Sequence, residues 1–283
     1  MRVVDAHLHV WDLARSEYGW LTPDLGPLYA TFTPEQAHAE LEAAGIASAV
    51  LVQAEDSERD TEYMLEAARR HAWIAGVVGW VPLDDPDAAE RRLDRLQDEP
   101  RLRGVRHLVH DDPRDDFLDL PSVRRSLRLL AERDIPFDVP DAWPRHLAAT
   151  ADLAAALEGL RVVVDHLGKP PFGGPDWHRW RNTLSDVAAR PNTVAKVSGL
   201  QVPGRPLTAS HVRPAWEVAL ELFGPERLMW GSDWPLTVLV GGYGCAWDVM
   251  SSLVAELSAD EQEQVLSGTA LSVYRLGQDG ARR

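Results

Sequence analysis

The sequence predicts a single-domain α/β fold, a (β/α)8 TIM barrel, and three observations carry that prediction. Short apolar runs alternate with longer helical stretches eight times along 283 residues, roughly one unit every 35 residues. The runs are apolar at nearly every position, as strands covered on both faces must be. A hydrophobic content of 45% supplies the core that one large domain needs. An open, doubly wound sheet is the alternative; the regular alternation fits the barrel better. The barrel is assigned to residues 1–277 and a frayed tail to 278–283.

Each unit has its own signals. The first strand starts at Val3 and ends at His9, and an irregular loop with Trp11 and Trp20 follows. Thr33-Pro34-Glu35-Gln36 reads as a capping box with proline at the first helical position, and Gly45 ends that helix. Ile46 to Gln53 is the second strand, and a helix near Thr61 to His71 leads to the third, Ile74 to Val81. Asp85-Pro86 opens the next helix. Leu102 to His107 is the fourth strand, with a helix around Ser122 to Arg133 behind it, and Ile135 to Val139 is the fifth. A helix around Arg145 to Leu157 precedes the sixth strand, Arg161 to His166; one around Trp177 to Ala189 precedes the seventh, Thr193 to Ser198. The last long helix, roughly Val212 to Phe223, precedes Leu228 to Asp233, the eighth.

Composition narrows the partners. A formal charge of -15 argues against nucleic acid and against an anionic membrane surface, since both need clustered Lys and Arg. Cys245 is the single cysteine, which leaves no intramolecular disulfide and no cysteine-based zinc site. Met1-Arg2 leads straight into the first strand without the apolar core of a signal peptide, and no apolar run reaches membrane-spanning length, so a cytoplasmic location is expected. Nothing in the charge pattern marks an oligomer interface.

Polar residues gather where the strands end. In a regular strand Val3, Asp5, His7 and His9 share one face, so the two imidazoles of His7-Leu8-His9 converge on one point, where they bind a metal or polarise a substrate oxygen. Gln53 ends strand two, Trp80 strand three, Arg106 and His107 strand four, His166 strand six, Lys196 strand seven and Asp233 strand eight. A barrel brings all of these to one mouth, at its C-terminal rim. Arg106 and His107 are adjacent, so only one of them faces inward. Lys196 shares parity with Val194 and Ser198; buried, it needs a carboxylate partner, and a salt bridge is as good a reading as substrate contact. Trp11, Trp20, Trp80 and Trp234 lie in or beside the rim segments, where flat rings could stack on a sugar-like ring.

Five motifs, in order, carry a resemblance: Asp5-Ala6-His7-Leu8-His9, Arg103-Gly104-Val105-Arg106-His107, Asp165-His166-Leu167-Gly168-Lys169-Pro170, Lys196-Val197-Ser198-Gly199-Leu200 and the run from Phe223 to Pro235. Together they resemble the amidohydrolase superfamily, in its amidohydrolase-2 branch and among the sugar-lactonase-like hydrolases. Thr269-Ala270 with Tyr274 is similar to the family's closing segment. The resemblance implies a (β/α)8 barrel that hydrolyses a small cyclic ester, an aldonolactone or a lactone from aromatic breakdown.

It carries His7, His9, His166 and Asp233 over as catalytic residues. The histidine at strand five and the lysine at strand four of metal-rich relatives have no counterpart here, which leaves at most one divalent metal, zinc by its ligand chemistry, on His7, His9 and Asp233 with His166 as a further ligand. A metal-free site in which the histidines polarise the carbonyl is the other form. In either, Asp233 takes a proton from water and returns it to the departing alkoxide. Arg106, His107, Gln53, Trp80, Lys196 and Trp234 are the candidate substrate-binding residues. Two other functions compete with the lactonase: a metal-dependent non-oxidative decarboxylase of the same branch, and a barrel that binds a small acid or sugar without turnover.

Overall fold

A computed structural model describes residues 2–202 and 204–277. The predicted tail, 278–283, lies outside the described residues. Eight strands form one parallel sheet in sequential order: β1 Val4–Leu8, β2 Ser48–Val52, β3 Ile74–Gly79, β4 Leu102–Arg106, β5 Phe137–Val139, β6 Val162–Val164, β7 Thr193–Val197 and β8 Leu228–Trp230. The sheet closes on itself as a (β/α)8 barrel through the segment after β8. Asp233 donates its N–H to the His7 carbonyl at 2.8 Å, and His9 donates to the Trp234 carbonyl at 2.8 Å.

The helices are α1 Pro34–Ala44, α2 Glu58–Arg70, α3 Pro86–Arg95, α4 Pro121–Glu132, α5 Leu147–Ala156, α6 Trp177–Ala188, α7 Ala209–Phe223, α8 Gly242–Val254, α9 Ala259–Glu263 and α10 Thr269–Val273. Their ends follow local chemistry. Thr33 caps α1 in a full capping box, and Gly45 ends it in the left-handed conformation, φ 70°. Asp85 caps α3 from its side chain, with Pro86 at the first helical position.

Two packed layers result. Outside the barrel, Leu51, Val77, Val105, Val164 and Trp230 pack against the helices as the main core. Inside it, Val50, Val52, Val78, Val163, Val194 and Met229 fill the lower barrel together with Ala270, Val273 and Tyr274 of the C-terminal segment. The C-terminal segment thus seals one end, which leaves the other for chemistry.

The first strand departs from regular parity. Val4 and Ala6 point into the barrel, whereas Val3, Leu8 and Val10 join the outer core. The pairing of β1 with β2 shifts register between Asp5 and Leu8. An extra residue there turns the parity over, so His7 and His9 point inward after Ala6 does. Val3 and Asp5 therefore do not share their face. Asp5 instead accepts hydrogen bonds from the N–H of His7 at 3.0 Å and of Ser232 at 2.9 Å, and from the Tyr243 hydroxyl on α8 at 3.0 Å. It anchors the barrel seam from outside.

Candidate functional site

The mouth holds a cavity of about 230 Å³, room for roughly eight waters at ~30 Å³ each and thus for one monocyclic small molecule. His9, Arg106, His166 and Asp233 form its floor, and Trp11, Trp20, Leu108 and Leu236 are among its walls. Each floor group arrives by a different device. His9 follows the β1 shift. Arg106 ends β4 and points inward. His166 lies one residue past Asp165, the inward position that β6 parity assigns; a left-handed backbone, φ 57°, swings its ring into the mouth. Asp233 reaches the floor through the same kind of turn, also at φ 57°.

Glycines make the close approaches possible. A Cβ at Gly199, φ 60°, would overlap the His166 ring, and one at Gly231 would overlap the His7 Cβ. Ser198, beside Gly199, lies 2.9 Å from His166 Nδ1 through its hydroxyl and holds the ring by its outer edge.

The polar centre is compact. His7 Nε2 and His9 Nε2 stand 3.1 Å apart, and Asp233 Oδ1 lies 3.4 Å from the latter and 3.8 Å from the former. His166 Nε2 is 3.9 Å from the same oxygen. His9 Nδ1 donates to the Val52 carbonyl at 2.8 Å, which fixes its tautomer because that oxygen can only accept. Gln201 Nε2 donates to Asp233 Oδ2 at 2.8 Å, while Asp233 Oδ1 is buried without a hydrogen-bond partner.

Burial pushes the pKa of His7, His9 and His166 below the usual imidazole value, which keeps them neutral. For Asp233 burial acts upward, but the nearness of His166, His9 and His7 outweighs it, and the carboxyl is held below its usual range. Neutral imidazoles and an ionised carboxylate are the forms in which these groups bind a cation.

The donor set fits a divalent metal. Bonds of ~2.0–2.1 Å in a tetrahedral site put neighbouring ligands ~3.3–3.4 Å apart, close to the 3.1, 3.4 and 3.8 Å edges of the His7, His9 and Asp233 triangle. Ligand atoms of His7, His166 and Asp233 also lie within 4.8 Å of one another. The orphaned Asp233 Oδ1 points at that same centre.

Beneath the floor lies a buried ionic layer that takes in Lys196 and Arg106, expected at the site from the sequence, together with Asp138, Asp165 and Tyr274, which had no role assigned there. Lys196 Nζ is 2.7 Å from Asp138 Oδ2, 3.1 Å from Asp165 Oδ1 and 3.2 Å from His7 Nδ1. Arg106 Nη1 donates to Asp165 Oδ2 at 3.2 Å, and its Nη2 donates to the Gln53 carbonyl. Tyr274 closes the layer from α10's end, its hydroxyl donating to Asp138 Oδ2 at 2.6 Å. The sequence did hold a signal for Asp138: a lone charge in the apolar run Phe137-Asp138-Val139. No signal marks Gln201.

Several expected substrate contacts lie elsewhere. Lys196 is fully buried in the ionic layer rather than exposed to the cavity. Gln53 is likewise buried, and its amide reaches Asp56 Oδ1 at 2.9 Å. Of the adjacent pair, Arg106 takes the inward place and His107 is turned away: it stacks on Phe117 with centroids 4.1 Å apart and lies 3.3 Å from Asp56 and 3.6 Å from Asp112. Trp80 spends its indole N–H on His107, and Trp234 packs edge-on to Phe32 in the outer core. None of these five lines the cavity. Trp11 and Trp20 do, and their indole N–H groups are tied to the Ala30 and Ala54 carbonyls.

A parallel barrel that collects imidazoles from β1 and β6 and a carboxylate after β8 defines a class: barrels that work on a small molecule held over a polar centre at the C-terminal rim. The amidohydrolase family profile matches residues 4–276, and the chain belongs to that family. It is 34% identical over 278 residues to the L-fucono-1,5-lactonase of Burkholderia ambifaria, covering 96% of this chain and 95% of that one. A crystal structure of an amidohydrolase from Burkholderia multivorans with bound HEPES superposes with a TM-score of 0.89 at 31% identity, covering 98% of this chain and all of that one. Another, with bound zinc, has a TM-score of 0.87 at 31% identity over the same 98% and 100%. No helix among the described residues is long and apolar enough to cross a membrane.

Proposed function

We propose that the protein hydrolyses the lactone ring of a small sugar-derived acid, with Asp233 as general base. One observation carries this reading: Asp233 Oδ1, ionised and without a hydrogen-bond partner among the described residues, faces the neutral imidazoles of His9 and His166 on the floor of a cavity sized for one ring, with His7 buried beside them. The L-fucono-1,5-lactonase relative, matched along almost its whole length, supports the choice of a lactone.

In the reaction, a water oxygen attacks the carbonyl carbon and one water proton passes to Asp233. A carboxylate oxygen has more than one lone-pair site, so Oδ1 can serve the polar centre and still accept that proton. Charge grows on the carbonyl oxygen as the tetrahedral species forms. The Arg106 guanidinium, held in place by Asp165 and the Gln53 carbonyl, brings a positive charge to the floor that favours that developing charge over the neutral ground state. The ring C–O bond then breaks, and Asp233 returns its proton to the leaving alkoxide. The product is the open hydroxy acid.

One divalent cation on His7, His9 and Asp233, zinc by donor type and by the zinc-bound relative, would add Lewis-acid polarisation of the carbonyl and of the attacking water. The fully buried pairs below the floor keep the ligands aimed.

A pH-indicator assay over a panel of aldonolactones, with and without chelator and added zinc or manganese, tests the reading. Acid release at an enzyme-dependent rate is the expected result. Carbon dioxide release from an aromatic or unsaturated acid, without lactone turnover, would select the decarboxylase instead. Tight binding of a lactone without turnover would select the binding barrel.

A further inference from the structure

We propose that His7 switches tautomer when its site takes up a cation, and that Lys196 and Asp165 are the two alternative partners of its Nδ1 that make the switch possible. The inference rests on the cation reading above.

Consider first the site without a cation. His9 Nδ1 gives its proton to the Val52 carbonyl, so the neutral ring has only a lone pair at Nε2. That lone pair faces His7 Nε2 at 3.1 Å, a hydrogen-bond distance. Two lone pairs at this separation repel, so the proton of neutral His7 belongs on Nε2, donating to His9. Arg106 Nη1 lies 3.4 Å from His7 Nε2, farther than His9 does, and already donates to Asp165 Oδ2 at 3.2 Å; donation from it to a bare His7 Nε2 would leave the His9 lone pair without a donor. It does not displace the His7 to His9 bond.

His7 Nδ1 is then an acceptor, and a donor waits for it. Lys196 Nζ is 3.2 Å away, its two other neighbours being the Asp138 and Asp165 carboxylates at 2.7 and 3.1 Å. An ammonium has three N–H groups and accepts nothing. Asp165 Oδ1, fully buried, is paired with the Lys196 ammonium at 3.1 Å but makes no well-aligned hydrogen bond, and it lies 3.4 Å from His7 Nδ1, so it has an accepting site to spare.

Cation uptake demands the opposite tautomer. Both Nε2 atoms must offer lone pairs to the centre, so the His7 proton must sit on Nδ1. There it cannot face the Lys196 ammonium as a partner, but it can donate to Asp165 Oδ1, 3.4 Å away, which can accept from it beside the lysine. The proton count is unchanged: one proton leaves Nε2 and one arrives at Nδ1, by exchange with water. A carboxylate behind a ligand histidine is a common device for fixing its orientation. Here a lysine beside that carboxylate holds the ring in register when the cation is absent.

The test uses the full-length protein labelled with 15N-histidine, the His7 signals being assigned by their loss in His7→Gln. In chelator-treated wild type, the proton should be on Nε2; with one equivalent of zinc, on Nδ1. The same tautomer under both conditions overturns the proposal, including the case in which zinc produces no change. Two variants add a readout. Lys196→Met should move the metal-free His7 proton from Nε2 towards Nδ1, and Asp165→Asn should weaken zinc binding about 10- to 100-fold in competition with a chromophoric chelator. Unchanged zinc affinity in a folded Asp165→Asn protein also counts against it. Should either variant fail to fold, the wild-type comparison still decides. Lactone turnover measured in the same samples separates the two readings: turnover in zinc-free protein, with no tautomer change on adding zinc, overturns the cation switch and leaves hydrolysis standing.

Discussion

The backbone N–H of Asp233 donates to the carbonyl of His7 at 2.8 Å, so the hydrogen bond that closes the barrel also sets the distance between its base and its first histidine. A barrel seam is rigid because both of its strands are paired on their other sides as well. Placing the reactive carboxylate there removes the freedom that a loop position would give it. Asp5, which ties the His7 and Ser232 N–H groups together from behind, reinforces the same seam.

Gly199 should tolerate no side chain. A Cβ there would overlap the His166 ring, and the left-handed backbone adds strain for any other residue. Gly199→Ala is expected to keep the far-UV circular dichroism of the wild type and to lose turnover by about tenfold or more, because a small displacement of a reacting group is costly. Wild-type rates in the folded variant would mean that the His166 ring position does not matter.

Gln201 occupies one oxygen of Asp233 and leaves the other free. Gln201→Leu should lower kcat about tenfold with little change in KM, the pattern of an interaction that acts in the transition state rather than in binding. A rise in KM alone would place Gln201 on the substrate instead.

Arg106 and His107, neighbours in sequence, should behave oppositely. Arg106→Leu leaves Asp165 buried without a cation on that side and removes a floor charge, so a loss of turnover of about a hundredfold is expected. His107→Gln should lower the melting temperature by several degrees, since a buried contact costs ~1–2 kcal/mol, while kcat/KM at a permissive temperature stays near wild type. Equal kinetic losses in both would contradict the assignment of His107 to packing.

Much of this was legible in the sequence, and the exceptions have physical causes. The eight strands and the order of polar strand ends follow from apolar runs and period, which depend on local residues alone. The parity of β1 does not, because a bulge between Asp5 and Leu8 depends on how β2 pairs with it. His166 was expected at the end of a strand running from Arg161, yet β6 stops at Val164 and a left-handed turn aims the ring. Trp80 and Trp234 fell within rim segments, but which way a ring turns is decided by tertiary partners, His107 and Phe32. The salt bridge weighed for Lys196 is there, and its carboxylates are Asp138 and Asp165.

Stability should carry a pH signature from Asp60, whose carboxyl is pushed up to about 6, above all by burial. It accepts from the Ala54 N–H at 2.8 Å and the Tyr18 hydroxyl at 2.9 Å. Between the model-peptide value of ~3.9 and about 6 the folded chain holds this proton and the unfolded chain does not. Stability from this group is therefore full below that window, falls as pH rises through it, and stays low above it. Asp60→Asn lacks the titration, so its stability relative to wild type, followed by melting temperature, should climb between pH 4 and pH 7, by an amount on the order of 3 kcal/mol at most. A difference that stays flat across those pH values would show that Asp60 is ionised throughout.

The central claim is that Asp233 moves the protons of lactone hydrolysis. Proton release from the best aldonolactone of the panel, compared between wild type and Asp233→Asn at equal zinc loading, tests it most directly. With Asp233 as the base, the variant should fold and turn over about a hundredfold or more slower. Turnover near the wild-type rate would contradict it.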